Sequence, residues 1–346
     1  MSPDHFNPAN ILVIDFGQLG DVVLSLPALR AIRERFPSSK ITVAVGKAAS
    51  PVVTFSGYAD ETLTVDRVAL RDGFTLTSIV QIFKLVGNVR SREFDFVIDL
   101  HSLSETNLLG FLSGAGRRLY SRRPGRSLDF LSNFHPRPPL EAANRDRHLI
   151  DRYLDVLIPL GVKDADRFPR LRTKPATDKE VEEMLRKVKA EAGAPLVGLF
   201  PGAGHPSRRW PLEKFAELAD FLMRNDQVKV LVFAGPEEKE LVAKMRKLFP
   251  KAAVILNQLN LSQLISALAR LAVLVSNDTG PMHLAAAAGT PVLVLLDKRA
   301  PTTYMPLGDH HRKLNGNVIS EISVEEAYEA TRSILAAGRT AALFAS

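Results

Sequence analysis

The chain contains no cysteine. That absence excludes disulfides, zinc–thiolate centres and thiol nucleophiles. Long hydrophobic runs are missing too: the longest, 284–296, is broken by Gly289 and Pro291 and is too short to span a bilayer. The opening residues, MSPDHFNPAN, are polar and hold no signal-peptide core, so the expectation is a cytoplasmic protein. No G-x-x-x-x-G-K-[ST] occurs anywhere, which removes the P-loop nucleotide enzymes. Charge of one sign is not extreme. Lys and Arg number 45 against 38 Asp and Glu, a formal net charge of +7 whose placement matters more than its size. No nucleic-acid-binding motif or aromatic stacking pattern accompanies it, so nucleic acid is not an expected partner.

What remains is a folded chain of ordinary composition, 46% hydrophobic and 24% charged. Its 346 residues exceed what one core organises, so two domains are expected. Apolar runs at 11–16, 41–45, 61–65 and 94–99 read as strands separated by stretches of helical spacing. In the first helix Val22, Leu26, Leu29, Ile32 and Phe36 make one stripe, and Pro27 should kink or restart it. From 117 to 147 the pattern lapses into an Arg- and Pro-rich loop, and a helix is expected over 146–160. The charged stretch VKDADRFPRLRTKPATDKE, 162–180, is the best linker, with a helix over 178–191 capped by Thr177 or Asp178. Alternation then resumes: strands at 196–200, VKVLVFAG, LAVLVSND and PVLVLL, helices at 211–223, from Pro236, in TGPMHLAAAAG and over 323–337. Two doubly wound α/β halves follow, each collecting ligands at the carboxyl ends of its strands, and two such edges can face one another across a cleft.

Three loops of the second half could carry chemistry. In SNDTGPMHL a strand ends at Asp278, Thr279-Gly280 turns, and Pro281 suits the first helical position. Amides of such a first turn lack intrahelical partners and welcome an anion, and Gly280 lets a diphosphate come close. The alternative is that Asp278 or Thr279 merely caps the helix. In PGAGHPSRRW, Gly202 and Gly204 free the backbone, and Arg208 and Arg209 offer guanidinium groups that pair with phosphate or stay solvated. In VFAGPEEKE, Glu237 could bind a ribose diol or serve as a first-turn carboxylate. The first half opens differently. DFGQLGDVV follows the strand Ile11–Ile14 without the full G-x-G-x-x-G, and places Asp21 at a helix mouth as either a proton acceptor or a cap. Asp164-Ala165-Asp166 and His310-His311 resemble metal ligands, but the first sits in the linker and the second lacks a partner at recognisable spacing.

Three segments, ILVIDFGQLGDVVLSLPALRAIRERFP, FPGAGHPSRRWPLEKFAELADFL and VSNDTGPMHLAAAAGTPVLVLL, occur in order over residues 10–300. Together they resemble glycosyltransferase family 9, the lipopolysaccharide heptosyltransferase family. The resemblance implies the α/β GT-B fold, two Rossmann-like doubly wound domains facing a central cleft. It divides the chain into an acceptor-binding domain (1–172), a nucleotide-sugar domain (173–320) and a C-terminal helix (321–346) crossing back. It implies inverting, metal-independent transfer of L-glycero-D-manno-heptose from ADP-heptose to the lipopolysaccharide inner core, with no cofactor. Asp21 would be the general base and Arg208 would meet the leaving diphosphate. Gly202, Glu237, Asp278, Thr279, Gly280 and His283 would complete the donor site. Gly20, Arg117, Arg118, Arg122 and Arg123 fall on the acceptor side, where a phosphorylated core at the inner membrane face would be attracted; a solvated loop is the alternative. Two departures stand out: Asp15 where the family usually has a basic residue, and Arg208 where lysine is commoner. Rival readings are transfer of another nucleotide sugar to another glycan, and a non-catalytic nucleotide-sugar binder.

Overall fold

The structure is a computed structural model that describes residues 6–66, 76–141, 147–188, 190 and 193–345. The chain divides into two compact units, Met1–Arg170 with Thr302–Tyr304, and Leu171–Pro301 with Met305–Ser346. The break after Arg170 lies within the charged stretch 162–180.

In the first unit the strands are β1 (Asn10–Asp15), β2 (Lys40–Gly46), β3 (Glu61–Val65), β4 (Phe96–Asp99) and β5 (Arg117–Tyr120). They are joined by α1 (Leu19–Arg35), α2 (Ser50–Ser56), α3 (Leu76–Arg90) and α4 (Ser104–Leu112), and α5 (Leu149–Asp155) follows. The sheet is parallel, in the order β3-β2-β1-β4-β5. Ile11 to Ile14 are fully buried, as an unbroken apolar run in a central parallel strand should be. α1 neither stops nor restarts at Pro27. The proline removes one amide donor, and the helix is held by burial from Val22 through Ile32. Two expectations need correction here. The segment after 117 begins with β5, an edge strand whose polar Arg117 and Arg118 hide it. The helix expected over 146–160 is the shorter α5, followed by a 3-10 turn at Ile158–Leu160 around Pro159; residue 146 lies outside the described residues.

The second unit holds α6 (Pro175–Lys187), β6 (Leu196–Phe200), α7 (Leu212–Asn225), β7 (Lys229–Phe233), α8 (Lys239–Leu248), β8 (Val254–Leu256) and α9 (Leu261–Leu268). β9 (Val273–Asn277), α10 (Gly280–Ala287), β10 (Val292–Asp297), β11 (Arg312–Gly316) and α11 (Val324–Ala345) complete it. Its parallel sheet has the order β11-β10-β9-β6-β7-β8. α6 starts at Pro175, not at 178, because proline suits a first helical position. Asp178 is then free to accept hydrogen bonds from Thr173 Oγ1 (2.7 Å) and Ser266 Oγ (2.6 Å), and Arg270 lies 3.1 Å away, which ties α6 to α9. Ala327, Ile334 and Leu335 of α11 pack into this unit's own core with Trp210, Phe215 and Leu222. No helix among the described residues is long and apolar enough to cross a membrane.

Candidate functional site

In each unit the polar residues of interest gather where parallel strands end. β1 and β4 are neighbours in register, Ile14 opposite Asp99, so their terminal carboxylates come side by side. Asp15 is fully buried, and its Oδ1 accepts the Gly17 N–H at 2.9 Å, with His101 Nδ1 at 3.9 Å. Asp99 is also fully buried and accepts from the Ser102 N–H and from Asn107 Nδ2, both at 2.7 Å. Burial pushes the Asp99 carboxyl up to about 7. The hydrogen bonds from Ser102, Thr106 and Asn107 oppose the rise, and the charge of Asp15 adds to it. Ser102 itself has φ +46°, a left-handed conformation uncommon for serine, held by its hydroxyl between Asp99 O and the Ser121 N–H. Tyr153 of α5 is buried beside this group. Burial first, then the charges of Asp15 and Asp21, hold its hydroxyl well above the usual range.

Asp21 lies in the first turn of α1, half-buried, and its Oδ2 accepts the Gln18 N–H at 2.9 Å. The capping geometry that one sequence reading allowed is therefore present. Gly17 makes the turn possible: a Cβ there would stand 2.6 Å from Asp21 Cβ and 3.0 Å from Asp15 Oδ1. Gly20 is half-exposed in the same helical turn as Asp21.

The arginines expected on the acceptor side are not brought together. Arg117 and Arg118 begin β5, opposite the strand end where Asp99 lies. Arg118 donates to Ala115 O (2.6 Å) and Leu131 O (3.0 Å) and lies over the Phe111 ring, a packing role. Arg122 and Arg123 follow the carboxyl end of β5. Arg123 donates to His101 O at 2.8 Å and pairs with Glu141 at 3.0 Å, while Arg152 pairs with the other oxygen of Glu141 at 2.9 Å. Arg122 Nε stands 3.7 Å from Asp129.

In the second unit β6 and β9 are adjacent, and Asn277 at the end of β9 joins their loops. Its buried amide accepts the Trp210 N–H (3.0 Å) and donates to Pro201 O (2.9 Å) and Gly202 O (3.3 Å). Trp210 is buried and donates through Nε1 to Ile322 O at 2.9 Å. This fastens the loop 201–211 at both ends. Within it the two arginines separate. Arg209 binds Ala203 O at 3.0 and 2.8 Å, whereas Arg208 is exposed, with Nη1 3.6 Å from Asp278 Oδ2. Asp278 is half-buried; burial raises its carboxyl and Arg208 lowers it. Thr279 holds the N-cap position of α10 with no side-chain cap, and Gly280 and Pro281 open the helix. Neither Asp278 nor Thr279 therefore spends its side chain on capping the first-turn amides. His283 is buried in the same helix.

At the third strand end the paired glutamates divide. Glu237 is exposed, while Glu238 is buried, accepts the Gly235 N–H at 2.8 Å, and lies where a Cβ on Gly202 would come within 2.7 Å of its Cγ. Burial pushes the Glu238 carboxyl up, opposed by the Gly235 N–H. Asn277, Asp99, His101 and Tyr153 were not singled out from sequence, and Glu238 only as a cap or first-turn carboxylate beside Glu237. For Asn277 and Asp99 the signal was present, a polar residue closing an apolar strand. The discounted residues stay apart from both edges' chemistry: Asp166 pairs with Arg30 and Arg170, and His311 accepts the Val292 N–H and is pushed down to about 4 by burial.

The profile of glycosyltransferase family 9 (heptosyltransferase) matches residues 82–328, well over half of the sequence. The chain belongs to glycosyltransferase family 9. Among curated members, lipooligosaccharide heptosyltransferase 2 of Haemophilus influenzae is 24% identical over 315 residues, 87% of this chain and 86% of that protein. Lipopolysaccharide heptosyltransferase 2 of Salmonella typhimurium is also 24% identical, over 317 residues, with the same shares covered. Among solved structures, a family 9 glycosyl transferase from Veillonella parvula superposes with a TM-score of 0.84 at 25% identity, over 97% of this chain and 98% of that one. The ADP-heptose lipopolysaccharide heptosyltransferase II of Escherichia coli follows at 0.78 and 19%, over 95% and 99%. The protein is thus a glycosyltransferase of the GT-B fold class. The family 9 profile begins after the Asp21 loop, and the curated members extend the likeness over 87% of the chain.

The Asp99 carboxyl makes folding stability depend on pH. Its folded value, about 7, exceeds its ordinary value of 3.8, so the native state binds more protons between the two. By linkage, this group's contribution to stability is fully present below about pH 4 and is lost as pH rises through about 7. The difference in unfolding free energy between the parent and Asp99→Asn, followed by denaturant unfolding, should move against the parent as pH rises across that window.

Proposed function

We propose that this family 9 transferase moves a heptose from ADP-heptose to a phosphorylated lipopolysaccharide inner core, in one displacement that inverts the anomeric carbon and needs no metal. One observation carries the reading: the exposed Arg208 guanidinium stands beside Asp278 at the uncapped N-terminus of α10, a place built for a diphosphate. Gly280 leaves room for the backbone to approach it, while the missing side chain of Gly202 makes room for Glu238. Glu238, under Gly202, supports the loop, and Glu237 is available to a ribose.

An acceptor hydroxyl attacks the anomeric carbon as the bond to the diphosphate oxygen breaks. Asp21 takes the hydroxyl proton. The negative charge growing on ADP meets Arg208 and the first-turn amides of α10, which do the work of a divalent cation. Because nucleophile and leaving group lie on opposite sides of the carbon, the configuration inverts. Arg122, past the carboxyl end of β5, is the cation suited to a phosphate on the acceptor, since Arg123 is held by Glu141 and His101 O. Such an acceptor is an amphiphile, so the protein works at a membrane face from the cytoplasmic side.

The test is a panel of ADP-, UDP- and GDP-sugars with a deep-rough core acceptor. ADP-heptose should raise the melting temperature, and with acceptor it should release ADP and lengthen the glycan, with EDTA making no difference. Stabilisation by a UDP- or GDP-sugar alone would refute the donor; ADP-heptose binding without turnover across acceptors would mark a non-catalytic binder.

A further inference from the structure

The first sheet's core of Leu12, Val89, Phe94, Val97, Leu109 and Tyr120 has α3 and α4 among its covering elements, with Leu131 of the 3-10 turn Asp129–Leu131 packed against it. α3 lies beside α4, and α4 beside that turn. The outer side of this layer is unusually apolar. Phe83 is 72% exposed and Phe130 71%, with Val80, Ile82, Leu108 and Phe111 also exposed. Each of the three neighbouring elements contributes, so the exposure forms a band rather than scattered residues. A contiguous apolar patch of this kind marks an interaction surface.

Its charge decides the partner. Lys84, Arg90, Arg117 and Arg126 are exposed around the band, and no ion pair among the described residues includes any of them. The exposed carboxylates over 80–130 are Glu93, Asp95 and Glu105, and Asp95 is engaged by the Ala9 and Asn10 amides, so the four cations leave the surface net positive. A second copy of the chain would set these cations against themselves. An anionic lipid surface instead takes the aromatic tips into its headgroup–acyl boundary and places the cations at its phosphates.

We infer that the outer face of α3, α4 and the turn at Asp129–Leu131 docks on an anionic membrane surface. This rests on the proposed membrane-borne acceptor, and it is tested without sugar. The whole protein is floated with phosphatidylcholine vesicles, with and without phosphatidylglycerol. It should bind those containing phosphatidylglycerol and be released by salt. Lys84→Gln/Arg90→Gln/Arg117→Gln should lower the partition coefficient about fivefold per charge removed, about a hundredfold in all. Phe83→Ser/Phe130→Ser should lower it about tenfold with an unchanged melting temperature, because both rings lie outside the core. The same double variant should transfer sugar to a soluble core oligosaccharide at the parental rate and to a vesicle-borne acceptor more slowly. Absence of binding to phosphatidylglycerol vesicles, or binding untouched by both variants, overturns the inference. So does a dimer in sedimentation that Phe83→Ser/Phe130→Ser dissolves. Lipid binding that persists and responds to both variants, in a protein that transfers no heptose to any acceptor, refutes the proposed function and upholds the surface.

Discussion

Asp21→Asn is expected to lower kcat by about 10²–10⁴-fold, the usual range for losing a positioned base, while the affinity for ADP stays within about twofold of the parent. The asparagine oxygen can still accept the Gln18 N–H that Asp21 accepts now at 2.9 Å, so the start of α1 should survive. An amide cannot take a proton from an attacking hydroxyl. The substitution thus separates the two roles that sequence left open for this carboxylate. If Asp21 only caps the helix, Asn is nearly silent and Ala costs about 1 kcal/mol of stability. If it is the base, Asn and Ala are equally inactive, and Ala alone is also less stable. Initial rates with saturating donor, isothermal titration with ADP and thermal melts of both variants supply the comparison. Turnover of Asp21→Asn at the parental rate would remove Asp21 from the mechanism.

Asn277→Ala should have the largest effect on the second unit. The side chain is buried and makes three hydrogen bonds, from the Trp210 N–H and to Pro201 O and Gly202 O. Truncation leaves those backbone groups without their partner, at about 1–3 kcal/mol for each that stays buried and unsatisfied. A net loss of about 3 kcal/mol, at about 2–4 °C per kcal/mol for a unit of this size, lowers the melting temperature by roughly 10 °C. The same amide ties the loop bearing Arg208 to the strand that precedes Asp278, so ADP affinity should fall more than about tenfold even at temperatures where the unit is folded. A melting temperature within a degree of the parent would show that the loops hold their places without Asn277.

Interior strands were readable because each is an apolar run buried on both faces, as in Ile11–Ile14 and Val292–Leu296. Of the four edge strands β3 was legible at 61–65, and β5, β8 and β11 were not. RRLY, VIL and RKLNG carry weak patterns of their own and take their register from the neighbouring strand. At Pro27 local propensity predicts a kink or a restart of α1, and the helix does not restart there, because burial from Val22 through Ile32 holds it.

The candidate site divides along the same line. By itself the sequence determined which glycine-bearing turns follow a buried strand and so lie at the carboxyl edge of a parallel sheet. That placed Asp21, Arg208 and Asp278-Thr279-Gly280. It could not divide labour between neighbours. Arg209 is held by Ala203 O and Arg208 is presented; Glu238 is buried against Gly202 and Glu237 faces out; Arg118 supports packing while Arg123 holds the backbone of His101. Adjacent residues share composition and charge, and which of them turns inward depends on the N–H or C=O that a distant segment leaves within reach. Asp99 and Asn277 are clearer cases still. Each closes an apolar strand, and each acquires its environment from partners that only the folded chain brings to it.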